Sequence, residues 1–172
     1  MAFTYSKLAE VTVGAGGTSA ITLNNIPQNY NDLVLKVSAR YSASGPWDMR
    51  LTFNDNAASV YSMRALNGAG AGTPGSASES AQASTWLGTL QGVTASTFNN
   101  MELYIPNYAS TTTAKSISTD NVNEANQTDA RSHLISGLWN SVVAISKLSI
   151  TVSSGTFVQH SSATLYGVKA EV

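Results

Sequence analysis

The sequence predicts an all-β chain folded as one antiparallel two-sheet sandwich of jelly-roll type. Apolar residues recur at every second position through most of the 172 residues, the period of a strand with one face in a core. Gly, Pro, Asn and Ser break these runs about every eight to twelve residues, the spacing of a sandwich or barrel. No stretch keeps a helical period long enough for a long helix. About eight to ten short strands with long crossing loops suit a jelly roll better than an immunoglobulin-type sandwich. Residues 1–172 contain no linker and no internal repeat, so a single domain is expected.

Leu8 to Val13 reads as the first strand, with Ala9, Val11 and Val13 inward. Gly14-Ala15-Gly16-Gly17 turns the chain and Ala20 to Leu23 returns it, which predicts a hairpin. Asn25-Ile26-Pro27 stops it, since proline has no N–H for the ladder. Leu33, Leu35, Val37, Ala39 and Tyr41 then face one way, and Asp32, Lys36, Ser38 and Arg40 the other. Trp47, Met49, Leu51 and Phe53 form the next inward row. Ala57 to Leu66 fits one or two helical turns or a strand, and its strand neighbours favour the strand.

Asn67 to Ser84 is almost entirely Gly, Ala, Ser and Thr. It cannot bury enough apolar surface to offset about 1–2 kcal/mol of ordering entropy per residue, so a loop at about 67–84 is expected, either a plain flexible loop or, the favoured reading, a contact arm ordered by a neighbouring subunit. Thr85 to Leu90 is a short strand around Trp86, and Phe98 to Ile105 a stronger one with Met101, Leu103 and Ile105 inward. Lys115 to Thr119 is another, and Thr119 to Ala130 a polar loop. His133 to Val168 closes the chain as a three-strand antiparallel unit, its rows carried by Ile135, Gly137 and Trp139, by Ile150 and Val152, and by Ala163, Leu165 and Gly167.

Only 11% of residues are charged, about half the usual share, and the net charge is −1. Neutral polar surface is easily desolvated against a partner, so the composition fits a protein that is mostly contact surface. No Lys/Arg cluster exists to bind phosphates, which argues against a nucleic-acid partner. There are no cysteines, hence no disulfide framework. Met1 to Glu10 lacks a signal-peptide core and no apolar run reaches bilayer length, so synthesis in a cytoplasm and no membrane partner are expected.

Motifs for chemistry are weak. Gly70-Ala71-Gly72-Thr73-Pro74-Gly75 matches the dinucleotide fingerprint by letter but is followed by a Ser/Ala tract rather than a helix. Asp120-Asn121-Val122-Asn123-Glu124 offers oxygens to a hard cation but fails the EF-hand register at Val122. His133 and His160 have no metal-spaced partners, no nucleophile elbow is present, and the acidic residues stand singly. No cofactor, metal or enzymatic activity is therefore expected. Asn126-Gln127-Thr128 is a chance glycosylation match. Among the tryptophans, Trp47 and Trp139 share the parity of core rows, while Trp86, beside the Gly/Ala/Ser segment, is the candidate exposed anchor. Gly70, Gly72 and Pro74 in that segment, with Tyr108 and Asn126, complete the candidate interaction residues. Lys115, Glu124, Asp129 and Arg131 are placed as surface charges near subunit contacts.

Several runs together carry a resemblance. They are Ser136-Gly137-Leu138-Trp139-Asn140, Ala144-Ile145, Leu148-Ser149-Ile150, Phe157 and Ser162-Ala163-Thr164-Leu165-Tyr166-Gly167-Val168. Leu51-Thr52-Phe53-Asn54, Tyr61-Ser62, Ile105-Pro106-Asn107-Tyr108, Lys115, Ile26-Pro27 and Asp32-Leu33 add to them. The pattern resembles phage virion structural proteins. The resemblance implies a capsid decoration (cement) protein of jelly-roll type, or a related tail- or head-fibre domain that binds host carbohydrate or receptor. It further implies a homotrimer on the outer capsid surface with the major capsid protein as partner. The absence of a fibrous shaft favours the decoration protein.

Overall fold

The computed structural model describes residues 3–70, 72–91, 94–126 and 130–170. The regular structure among them is β throughout: β1 (Phe3–Thr12), β2 (Ala20–Leu23), β3 (Asp32–Ala39), β4 (Pro46–Phe53), β5 (Tyr61–Ala69), β6 (Gly75–Gln82), β7 (Thr85–Gln91), β8 (Asn99–Ile105), β9 (Lys115–Asn123), β10 (Arg131–Trp139), β11 (Leu148–Val152) and β12 (Ser162–Ala170). They form an eight-stranded sheet, β1-β12-β3-β8-β9-β10-β5-β6, and a four-stranded sheet, β2-β11-β4-β7. All named pairings are antiparallel.

Without β5, β6, β9 and β10, the remaining strands read β1-β12-β3-β8 and β2-β11-β4-β7. Successive strands β1 and β2, β3 and β4, β7 and β8, and β11 and β12 cross between the sheets. That is the winding of a jelly roll. The other four strands are two insertions, β5–β6 and β9–β10, which meet and carry the larger sheet outward past β8.

Alternation explains the core. Leu33, Leu35, Val37, Ala39, Met49, Leu51, Phe53, Met101, Leu103, Ile105, Ile150, Ala163 and Leu165 face the space between the sheets and are buried. Gly167 continues the inward row because the Tyr30 ring lies where a Cβ would go, 2.5 Å from its ideal position. Phe53, Tyr61 and Trp139 pack as one aromatic group, with Phe53 and Trp139 ring centroids 5.2 Å apart, and join the jelly roll to its extension.

Four sequence expectations are corrected here. β1 and β2 are not a hairpin: β1 pairs with β12 and β2 with β11, because the 13–19 connection steps from one sheet to the other. β10, β11 and β12 form as strands but not as a unit, since none pairs with another: β10 pairs with β9 and β5, β11 with β2 and β4, and β12 with β1 and β3. Residues 67–84 are not a loop: they hold the end of β5 and all of β6, paired from Asn67↔Gly75 to Tyr61↔Gln82. Backbone hydrogen bonds to β5 organise β6, so its small side chains need little burial. β9 likewise runs to Asn123, four residues past the expected end at Thr119.

Candidate functional site

Beneath the extension lies a mixed layer. The inward row of β9 turns polar along its length: Ile117, Thr119, Asn121, Asn123. β10 supplies His133 and Ile135, and β7 covers them, buried from Thr85 to Leu90. β7 bulges at Gly88, whose φ of +96° and close approach to Asn121 and His133 admit no side chain. Asn121 Nδ2 donates to the Leu87 carbonyl, Asn123 Nδ2 to Thr89 Oγ1, and the Thr89 hydroxyl lies 3.1 Å from His133 Nε2. Burial pushes the His133 imidazole down to about 4, so it is neutral near pH 7. Thr85 Oγ1, Thr119 Oγ1, Asn121 Oδ1 and His133 Nδ1 are buried without a hydrogen-bond partner among the described residues.

Trp86 is in this layer, packed with Met63, Ala65 and Ile135 and edge-on to His133. Its indole N–H donates to Asp48 Oδ1, which makes it a structural residue and not the exposed anchor expected of it. The exposed tryptophan is Trp47, 40% accessible. At Trp47 β4 has run past β11, which pairs only from Met49 to Phe53, so the inward parity has no opposing core to enter. Its N–H donates to the Ser44 carbonyl instead. Trp139 is buried as its parity predicted. Tyr108 is buried, its hydroxyl donating to the Pro27 carbonyl, so it is unavailable for surface contact. Lys115 is buried as well, donating to the carbonyls of Ser110 and Thr113, and desolvation lowers its pKa. Asp129 lies outside the described residues.

Gly70, Gly72 and Pro74 do come together. They line a shallow depression of about 370 Å³ with Glu124 and Arg131, where the β5–β6 and β9–β10 connections meet. Gly70 N–H donates to the Ala130 carbonyl across it. Asn126 is exposed in the second connection, its N–H held by Glu124 Oε1 at 2.7 Å. The glycine motif leads into strand β6 and not into a helix, so it lacks the dipole a dinucleotide site needs. The Asp120 to Glu124 oxygens also fail to converge, because strand alternation sends Asn121 and Asn123 inward and Asp120 and Glu124 outward. Among the described residues no group of three metal-ligating side chains forms.

The largest candidate surface is the outer face of the eight-stranded sheet. Cross-strand register builds it in rows. One row reads Tyr166, Val34, Tyr104, Ser118, Ser136, Arg64, Ser78. The next reads Thr164, Lys36, Glu102, Asp120, Leu134, Leu66, Ser76. Two depressions share Ser118 and Leu134: one of about 580 Å³ over Lys36, Glu102 and Asp120, one of about 560 Å³ over Arg64, Leu66 and Ser78. Leu66 and Leu134 stand directly opposite each other and are 63% and 61% exposed. Lys36 bonds Glu102 at 3.0 Å, and Tyr104 donates to Asp32. Desolvation first, then that bond, pushes Tyr104 up to about 12. Glu102 and Asp120 form a carboxylate pair that the sequence, with its acids scattered singly, did not nominate. Both are exposed. At one end of the sandwich Val142 and Val143 form a second exposed apolar group, at 50% and 56%.

No family model and no curated protein matches the chain. Among solved structures, a protein of unknown function from Shewanella oneidensis MR-1 aligns over 98% of this chain and 78% of its own, with 11% identity and a TM-score of 0.21. A likeness that slight carries no argument about fold or function.

Proposed function

We propose that this chain is a non-enzymatic structural protein of a phage particle, a capsid decoration protein that lies on the outer surface of the head. The observation that supports the reading best is the outer face of the large sheet: serines, a few solvated charges and the exposed Leu66–Leu134 pair. Such a face loses little on desolvation and gains apolar burial, which suits adhesion to a protein lattice. The jelly-roll winding and the sequence resemblance point the same way. The protein would act as a trimer bridging neighbouring major capsid subunits and reinforcing the shell against internal pressure. Added to heads that lack it, the purified protein should bind stoichiometrically and raise their resistance to heat and chelator, and Leu134→Asp should weaken binding at least about tenfold. Heads that gain no resistance would refute the cementing role.

The exposed Tyr104 beside Lys36, Glu102 and Asp120 favours a second reading, a fibre domain that binds carbohydrate. An aromatic face among directional polar groups is the chemistry that holds a sugar ring. Glycan-array binding abolished by Tyr104→Ala would select it over the first.

A further inference from the structure

The two sheets have four edges, and three of them are blunted. β1 carries a bulge between Lys7 and Ala9 and the Lys7–Glu10 ion pair at 2.9 Å. β2 is only four residues long. β7 is buried from Thr85 to Leu90 beneath the extension. These are the usual protections against edge-to-edge pairing. β6 has fewer over Gly75 to Glu79: no Lys, no Arg, no internal proline, and an unbroken register with β5. Its bulge comes later, between Glu79 and Gln82, where Ala81 has a φ of +54°. Its one charge, Glu79, is drawn sideways onto Arg50 by two bonds of 2.6 and 2.9 Å.

We infer that β6 is an association edge and that its occupant is β6 of a second copy, paired antiparallel about a two-fold axis through Ala77. A two-fold axis normal to the sheet keeps each face on its own side, so residues pair only with others of the same parity. Centred on Ala77, the pairs are Gly75 with Glu79, Ser76 with Ser78 and Ala77 with its copy. This register uses only the unbulged residues. It sets Glu79 against a glycine, which leaves room for the carboxylate, whereas centring on Glu79 would oppose two carboxylates. It also covers Ala77, which is half-exposed at the rim of the Met63, Ala65, Trp86 and Ile135 cluster. On the outer face, Ser76 and Ser78 exchange hydroxyl contacts across the seam. The inference stands without the phage reading, because it concerns the isolated protein in solution. On a shell, such seams would join one decoration unit to the next.

Sedimentation equilibrium of the full chain, combined with amide exchange, tests it. A concentration-dependent two-fold step in mass, with exchange slowed at Gly75 to Glu79, is the expected result. The double variant Ser76→Lys, Ser78→Lys, both exposed and therefore tolerated by the fold, should raise the association midpoint at least about tenfold. Mixing it with Ser76→Glu, Ser78→Glu should restore pairing. A wild type showing no two-fold step, or one that the lysines leave unchanged, overturns the inference. Neither outcome bears on whether heads bind the protein.

Discussion

His133 is 3% exposed and faces Thr89, Trp86 and the Gly88 backbone, with Arg131 disfavouring its charge. Its folded-state pKa of about 4 lies below the ordinary 6.5, so the unfolded chain takes up a proton that the folded chain refuses. Stability from this group is complete above about pH 7, declines as pH falls from 6.5 towards 4, and changes no further below that. The largest loss is about 3 kcal/mol. Urea midpoints measured from pH 8 to pH 4 should show the slope, and His133→Gln should flatten it. At this scale the sequence was read unevenly. The inward rows of β3, β4 and β8 were legible because period two dominates there. The places of Trp47 and Trp86 were not. Their surroundings depend on where β4 outruns β11 and on what covers β7, and both facts belong to strands far away in sequence.

β6 shows that a strand can form without an apolar payload. Gly, Ser and Ala offer little area to bury, and from composition alone the segment predicts disorder. What fixes it is the β5 ladder on one side and the Arg50–Asp48–Glu79 group beneath, whose Arg50 and Glu79 side chains are only 21% and 27% exposed. Glu79→Gln would leave Arg50 half-satisfied. It should lower stability by about 1–2 kcal/mol and speed amide exchange in Gly75–Gln82 more than in β5. Of the candidate interaction residues, Gly70, Gly72, Pro74 and Asn126 were legible as a surface group because turn residues declare themselves locally. The outer-face rows were not legible, since they depend on register between strands the sequence does not pair.

Across the whole molecule the jelly-roll strands find partners far along the chain, β1 on β12, β2 on β11 and β3 on β8, while β5–β6, β8–β9 and β9–β10 pair chain neighbours. Loop closure must precede the contacts that reward it, so folding should be slow, with a stopped-flow phase of about milliseconds to seconds in dilute denaturant. A microsecond phase accounting for the full signal change would contradict the topology. The jelly-roll winding itself followed from strand count and loop length, whereas the extension did not, because nothing in the residues of β5, β6, β9 and β10 marks them as insertions.

The three tryptophans fall in three separate settings: Trp47 in solvent at a loop end, Trp86 against an imidazole under the extension, Trp139 locked between Phe53 and Tyr61 where the two parts meet. The protein therefore carries a built-in optical readout of its own dismantling. A soluble quencher such as iodide silences the first emitter, acid at about pH 4 and below, where His133 takes a proton, dims the second, and whatever glow survives comes from the third and vanishes only when the joint gives way.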